Sequence, residues 1–266
     1  MIAYLSLLAQ IFGPPTSTTS TVDPSYFFNS ISSGCSASSP ISCQNSSVSD
    51  TCCTEYPGGL LLQTQFWDTN VPGSPPDSWT IHGLWPDNCD GTYIENCDPS
   101  RAYDIPNLLV EQGASATLDY MQQFWLNADG TNEHLWNHEW STHGTCYSTL
   151  QPSCLPQGNP EGSEAVSYFQ TIVQLFQTLP TYTWLANAGI EPSYHRTYTL
   201  SEILSALEQG SGGYTPQVGC SHGGLDAISW YYYLQGSLLD GQFVPINSPK
   251  ESSCPHRDIR YLPKRG

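Results

Sequence analysis

Two short segments carry side chains that can move protons, and tryptophan frames both. The first is Trp79-Thr80-Ile81-His82-Gly83-Leu84-Trp85-Pro86-Asp87. Gly83 lets the backbone bend or approach another group, and Pro86 stiffens the exit, so an imidazole is held beside an aromatic face. Taken alone, this segment also fits a core tryptophan beside a hydrogen-bonded histidine. The second is Trp136-Asn137-His138-Glu139-Trp140-Ser141-Thr142-His143-Gly144-Thr145-Cys146. Its two histidines lie five apart, roughly 140° around a helix, so they do not face one metal as the zinc motif His-Glu-x-x-His does. Glu139 and His143, four apart, do share a face. A carboxylate one turn from an imidazole raises its pKa and orients it, which suits acid–base work at mildly acidic pH. A surface ion pair is the plainer alternative there. Together the two segments suggest paired proton transfer, one group removing a proton while the other delivers one. No Gly-x-Ser-x-Gly elbow or phosphate-cradling glycine loop offers a different chemistry.

Periodicity places these segments among regular elements. Leu60 to Trp67 reads as a buried strand between Pro57-Gly58-Gly59 and the Pro/Gly-rich stretch 72–76. Ala114 to Leu126 and Glu133 to Cys146 read as helices. From Glu164 to Leu179, the residues Val166, Phe169, Val173, Phe176 and Leu179 form one apolar stripe, and Pro180 ends that helix. Thr199 and Glu202 form a capping box at the start of a helix reaching about Gln209. Ala227 to Leu234 reads as a strand. Helices and strands alternate without βαβ regularity, which points to an α+β domain.

Composition narrows the class. The 266 residues suffice for one large domain, and the net charge is −17. Five of the seven cations (Lys250, Arg257, Arg260, Lys264, Arg265) fall in the last seventeen residues, leaving only Arg101 and Arg196 before them. Without a basic stripe, a stoichiometric nucleic-acid-binding module is nearly excluded. A transient encounter with a phosphodiester at low pH is not, because carboxylates neutralise and histidines charge there. Ten cysteines read as five disulfides in an oxidising compartment, with the pairing left open by spacing. Ile2 to Phe12 fits a signal-peptide core, and the Ser/Thr/Pro-rich stretch to Pro24 a spacer. The expected boundaries are a leader at 1–24, one domain at 25–256 and a C-terminal tail at 257–266. Asn45-Ser46-Ser47 is the sole glycosylation sequon. His134, His195, His222 and His256 have no motif around them.

The segments His82-Gly83-Leu84-Trp85-Pro86 and His138-Glu139-Trp140-x-x-His143-Gly144-Thr145-Cys146 resemble, in order and separation, the two active-site segments of the ribonuclease T2 family, which are secreted acid endoribonucleases. The resemblance covers about residues 30–256 and implies a single α+β domain with a central antiparallel sheet flanked by helices. It implies roles as well. His143 takes the proton from the ribose 2′-OH and His82 protonates the leaving 5′-oxygen, giving a 2′,3′-cyclic phosphate that water opens to a 3′-phosphate. His138 contacts the phosphate, and Glu139 steadies the transition state. Trp85 stacks on a base, Asp87 hydrogen-bonds it, and Gln65 matches a second base subsite. The implied disulfides are Cys35–Cys53, Cys43–Cys89, Cys52–Cys154, Cys97–Cys146 and Cys220–Cys254. The 2′-OH is the nucleophile, so the substrate is RNA, not DNA, and no metal or cofactor is called for. A secreted monomer without membrane contact is expected.

One position departs from that pattern. The family has Lys immediately before the second catalytic histidine, and here it is Thr142. A fixed cation beside the developing charge is worth about 2.7–4 kcal/mol. Two rival readings stay open at this point: a non-catalytic secreted relative that binds a partner or glycan, for which Thr142 is the support, and a zinc hydrolase.

Overall fold

Leu60–Phe66 (β1) is buried along nearly its whole length because it lies inside the sheet, pairing with Thr80–Asp87 (β2) on one side and Gly224–Gln235 (β5) on the other, both antiparallel. The computed structural model describes residues 31–44 and 47–265. The main path of the sheet runs β2-β1-β5-β7-β3, with Ile259–Arg260 (β7) and Thr197–Tyr198 (β3) at the far end. Gln217–Ser221 (β4) and Gln242–Ile246 (β6) pair with successive parts of the long β5. All pairings are antiparallel except the short β5–β7 contact.

The register of β1 on β2 contains the feature that matters for function. Thr64 lies opposite Gly83 and Gln65 opposite Ile81, so His82 is an extra residue on β2. Such a bulge interrupts the alternation of side chains and re-aims one of them. His82 consequently turns to the face that carries Trp85, where its ring packs 4.0 Å from that of Phe66.

Six α-helices are found among the described residues: Ile105–Glu111 (α1), Ser115–Phe124 (α2), Asn132–Thr142 (α3), Ser163–Gln177 (α4), Thr181–Asn187 (α5) and Leu200–Gly210 (α6). α4 buries the expected stripe, including Val166, Phe169, Val173 and Phe176, in the main core with Trp140 and Ile228. Each such side chain contributes about 1.5–3 kcal/mol on burial. The capping box of Thr199 and Glu202 is present at the start of α6. α1 and α5 escaped the sequence reading because seven residues are too few to show a period.

Two expectations need correction. The helix expected over Glu133 to Cys146 stops at Thr142, and residues Gly144–Cys146 form a 3-10 turn. The segment expected as a C-terminal tail, 257–266, is instead packed into the body through residue 265. Ile259 and Tyr261 are buried, Trp67 Nε1 donates to Leu262 O at 2.7 Å, and Lys264 lies 4.4 Å over the Trp67 ring. Lys264 Nζ donates to Ser74 Oγ and Ser78 O, each at 2.8 Å, which is how a buried ammonium is tolerated. The leader region and Asn45 lie outside the described residues.

Five disulfides staple the loops to this frame: Cys35–Cys53, Cys43–Cys89, Cys52–Cys154, Cys97–Cys146 and Cys220–Cys254. Two of them matter locally. Cys43–Cys89 holds the chain just past β2, and Cys97–Cys146 ties the loop that follows to the turn after α3.

Candidate active site

The two proton-handling segments meet at the edge of the sheet. β2 presents His82 and Trp85, and the last turns of α3 present His138, Glu139 and His143. Long-range contacts set that approach. Tyr168 Oη, from α4, donates towards Leu84 O (3.1 Å) and Glu139 O (3.4 Å), bridging strand and helix. Buried Arg101 donates to Thr145 O (2.6 Å) and Leu150 O (3.0 Å) and is held by Asp98, which fixes the turn after His143.

Trp85 is the hub. Its indole Nε1 donates to Glu139 Oε2 at 2.8 Å. Its ring lies edge-on to His82, with centroids 4.8 Å apart, and tilted against His143 at 5.1 Å. Glu139 Oε1 stands 3.4 Å from His82 Nε2. The Glu139 carboxyl therefore sits between the strand and the helix, fully buried. Gly83 is what admits it, because any Cβ there would overlap Glu139 Oε2 and fall 2.7 Å from Trp85 Nε1.

Helix termination overturns one sequence expectation. His138 and His143 would diverge on a continuous helix, but α3 ends at Thr142, and His143 occupies the cap with φ −114° and ψ −46°. The two rings come within 6.0 Å, and the ligand atoms of His138, Glu139 and His143 all lie within 4.8 Å of one another. This is the one group among the described residues close enough to share a cation, although Glu139 already faces His82 and Trp85.

Burial dominates the protonation of these groups. It pushes Glu139 up to about 8, with the Trp85 hydrogen bond only partly opposing. Burial, then the neighbouring His143 and His138, pulls His82 down to about 3. Burial followed by His138 pulls His143 down to about 4. Burial therefore favours the uncharged form of both groups, with Glu139 Oε1 3.4 Å from His82 Nε2. Elsewhere, Glu55 is raised to about 7 by burial, against hydrogen bonds from Ser148 and Thr149.

These shifts set a stability profile. A carboxyl held above its unfolded pKa stabilises the fold at acid pH and loses that contribution as pH rises, here from about 4.5 to 7 for Glu55 and to 8 for Glu139. A histidine held below 6.5 acts in reverse, and its contribution disappears as pH falls through about 4 and 3. The two nearly cancel between pH 4.5 and 6.5. Thermal melting followed against pH is expected to show a plateau in that window and a decline on both sides. A melting temperature still rising from pH 6.5 to 8 would contradict these environments.

The remaining expected site residues divide. Asp87 lies on the Trp85 face, opposite Leu60, and its Oδ2 pairs with Lys250 Nζ at 3.0 Å. Gln65 is a correction: it points to the other face of the sheet, is buried, and its Nε2 donates to Gln63 Oε1 and Leu179 O, each at 3.3 Å. Period-2 alternation puts it opposite the site face, so it has no route to a base there. Thr142 is buried, with Oγ1 3.2 Å from His138 Nδ1. His134, His195, His222 and His256 are exposed. Sequence reasoning missed Phe66, Tyr168 and Lys250. Phe66 was legible as the apolar end of β1, but Tyr168 and Lys250 lie too far along the chain for any local pattern.

A buried carboxyl between two imidazoles, brought together from a strand and a helix, is an arrangement that can support acid–base chemistry. The family model for the Ribonuclease T2 family matches residues 58–240, and the chain belongs to that family. It is 57% identical over 237 residues to Ribonuclease Le2 of Lentinula edodes, covering 88% of this chain and 98% of that protein. It is 48% identical over 233 residues to Ribonuclease T2 of Aspergillus oryzae, covering 87% and 84%. The crystal structure of Actibind, described as a T2 ribonuclease, superposes with a TM-score of 0.82 at 45% identity, covering 87% of this chain and 98% of that one.

Proposed function

We propose that the protein is a secreted, metal-independent endoribonuclease that cleaves single-stranded RNA through a 2′,3′-cyclic phosphate to 3′-phosphate ends, with little base specificity and an acidic optimum. The observation that carries this reading is the packing of His82 and His143 against one indole with Glu139 between them. His143, neutral above about pH 4, accepts the 2′-OH proton. His82 must deliver a proton, yet rests neutral beside a protonated Glu139. An arriving phosphodiester brings the negative charge that stabilises imidazolium, so the shared proton moves to His82 as substrate binds. His138, exposed at the mouth, contacts the phosphate, and Trp85 with Asp87 receives a base. A monomer without membrane contact suffices for this chemistry. Among the described residues no helix is long and apolar enough to cross a membrane.

Release of acid-soluble nucleotides from RNA at about pH 4.5, just above the lowered pKa of His143, tests the reading. Cleavage undiminished by EDTA is expected. Its abolition by chelator would favour a metal hydrolase built on His138, Glu139 and His143, and a folded protein that releases nothing would favour a non-catalytic relative.

The support for that last reading is Thr142, and in the active reading this residue orients His138. Its Oγ1 lies 3.2 Å from His138 Nδ1, a contact that orients the ring. Thr142→Val keeps the shape and removes the bond, worth about 0.5–1.5 kcal/mol. The expected result is a loss of up to about tenfold in kcat/KM, mainly through KM. An unchanged KM for RNA would remove Thr142 from the site.

A further inference from the structure

Cations that form no stripe along the chain gather at one edge of the fold. Five Lys and Arg are exposed among the described residues. Lys250 pairs with Asp87, but Arg196, Arg257 and Arg260 lie on or beside the β3–β7 ribbon, at the far end of the sheet from β2. Three exposed histidines join them. His195 precedes Arg196, Leu200 N donates to His256 O, and Arg260 Nη2 donates to His222 O at 2.5 Å. Thr197 stands opposite Arg260, whose N donates to Gly223 O, so segments far apart in sequence are tied to this one edge. The carboxylates on the ribbon and its flanks are Glu191, Glu202 and Asp258, all exposed. Carboxylates lose charge and imidazoles gain it in the acid range, so the edge becomes positive on a protein whose formal net charge is −17 at pH 7.

A cleft of about 370 Å³ leads from this edge towards the catalytic end of β1, lined among others by Trp67, Asp68, Asp226, His222 and Arg260. Trp67 directly follows Phe66, whose ring packs on His82. Trp85 and Asp87 lie towards the opposite end of β1, where Asp87 pairs with Leu60. We propose that the β3–β7 edge is a remote phosphate subsite for RNA: it holds backbone phosphates of the strand on the 3′ side of the scissile bond, which reach Arg260 and His222 along this cleft. This rests on the ribonuclease reading, in which His82 protonates the leaving 5′-oxygen and the 3′ portion of the strand departs on the Phe66 side. Strand spacing and rise put Arg260 roughly 20 Å from His82, so a dinucleotide falls short of the edge and a longer strand does not. The cleft itself is acidic, but burial raises both Asp68 and Asp226, and Asp226 raises Asp68 further, against Lys264 on the first and His222 on the second. Both carboxyls therefore lean towards the uncharged form that lets a phosphate pass.

The test compares cleavage of polyuridylate with that of a dinucleoside phosphate over a range of salt concentrations, at the acid pH of the cleavage assay. Each phosphate contact on a single strand adds about 0.7 to the slope of log affinity against log salt, so the wild-type slope should be steeper on polyuridylate. Arg260→Gln should lower that slope by about 0.7 and neutralising Arg196, Arg257 and Arg260 together by about two. The single variant should raise KM for polyuridylate about two- to fivefold with kcat little changed, the size of one exposed charge contact. Arg260→Lys should restore the slope. Arg257→Gln supplies an arm that does not disturb the bond to His222 O. Gln122→Glu, exposed on α2, makes the same change in net charge and should keep the wild-type slope. Lengthening the dinucleoside phosphate on its 3′ side should lower KM in the wild type and not in the triple variant. An unaltered polyuridylate slope in the triple variant overturns the proposal, as does an equal loss on both substrates or in Gln122→Glu, the mark of a general field. A response confined to 5′ extension also overturns it. Failure of the wild-type protein to cleave either substrate would instead overturn the ribonuclease reading.

Discussion

His82→Phe and His143→Phe are each expected to abolish nearly all RNA cleavage while the protein stays folded. A positioned acid or base contributes about 10²–10⁴-fold, and two groups acting in one step do not add. The double variant should accordingly be little worse than either single one. Phenylalanine is the informative replacement because both rings pack on Trp85 and it preserves that contact. His82 also packs on Phe66, and both histidines rest neutral, so loss of the ring nitrogens leaves no unpaired charge. Turnover measured with melting temperature separates the chemical role from a structural one. Either variant retaining a third of wild-type turnover would contradict its role.

Gly83→Ala is the second change with a large expected effect, although no catalytic atom is altered. The new methyl meets the Glu139 carboxyl and, at 2.7 Å, Trp85 Nε1, and Glu139 is fully buried with no space to retreat. Relief requires Glu139 or β2 to shift, which breaks the 2.8 Å bond from Trp85 and the approach to His82. Overpacking of this kind costs about 1–3 kcal/mol of stability. Misplacement by about 1 Å can cost about 10²-fold in rate. We expect both, with the rate loss dominating and the pH profile displaced as the shared proton loses its partner. Activity within twofold of wild type would show that Glu139 is not held through this contact.

Much of the site could be read from the chain because each segment carries its own local instructions. His82-Gly83 and His138 to His143 declare themselves by residue type, β1 by its apolar run between breakers, α4 by its stripe and α6 by its cap. What stayed hidden depends on register or on distance. The bulge at His82 exists only in the pairing of β2 with β1, and it is what turns the imidazole towards Trp85. The face of Gln65 follows from the same pairing, which sends it into the core. The end of α3 at Thr142 is marked only by Gly144 just past its cap, and nothing local shows that it brings His138 and His143 together. Lys250 and Lys264 come from the basic C-terminal stretch, only the second of them from the segment expected as a tail, and each reaches back more than a hundred residues to a partner in the body.

Product analysis on a defined dinucleoside phosphate tests the paired-histidine chemistry most directly. A 2′,3′-cyclic phosphate should accumulate first and then give way to the 3′-phosphate, while the 2′-deoxy analogue remains intact. Direct formation of a 5′-phosphate, or cleavage of the deoxy analogue, would contradict it.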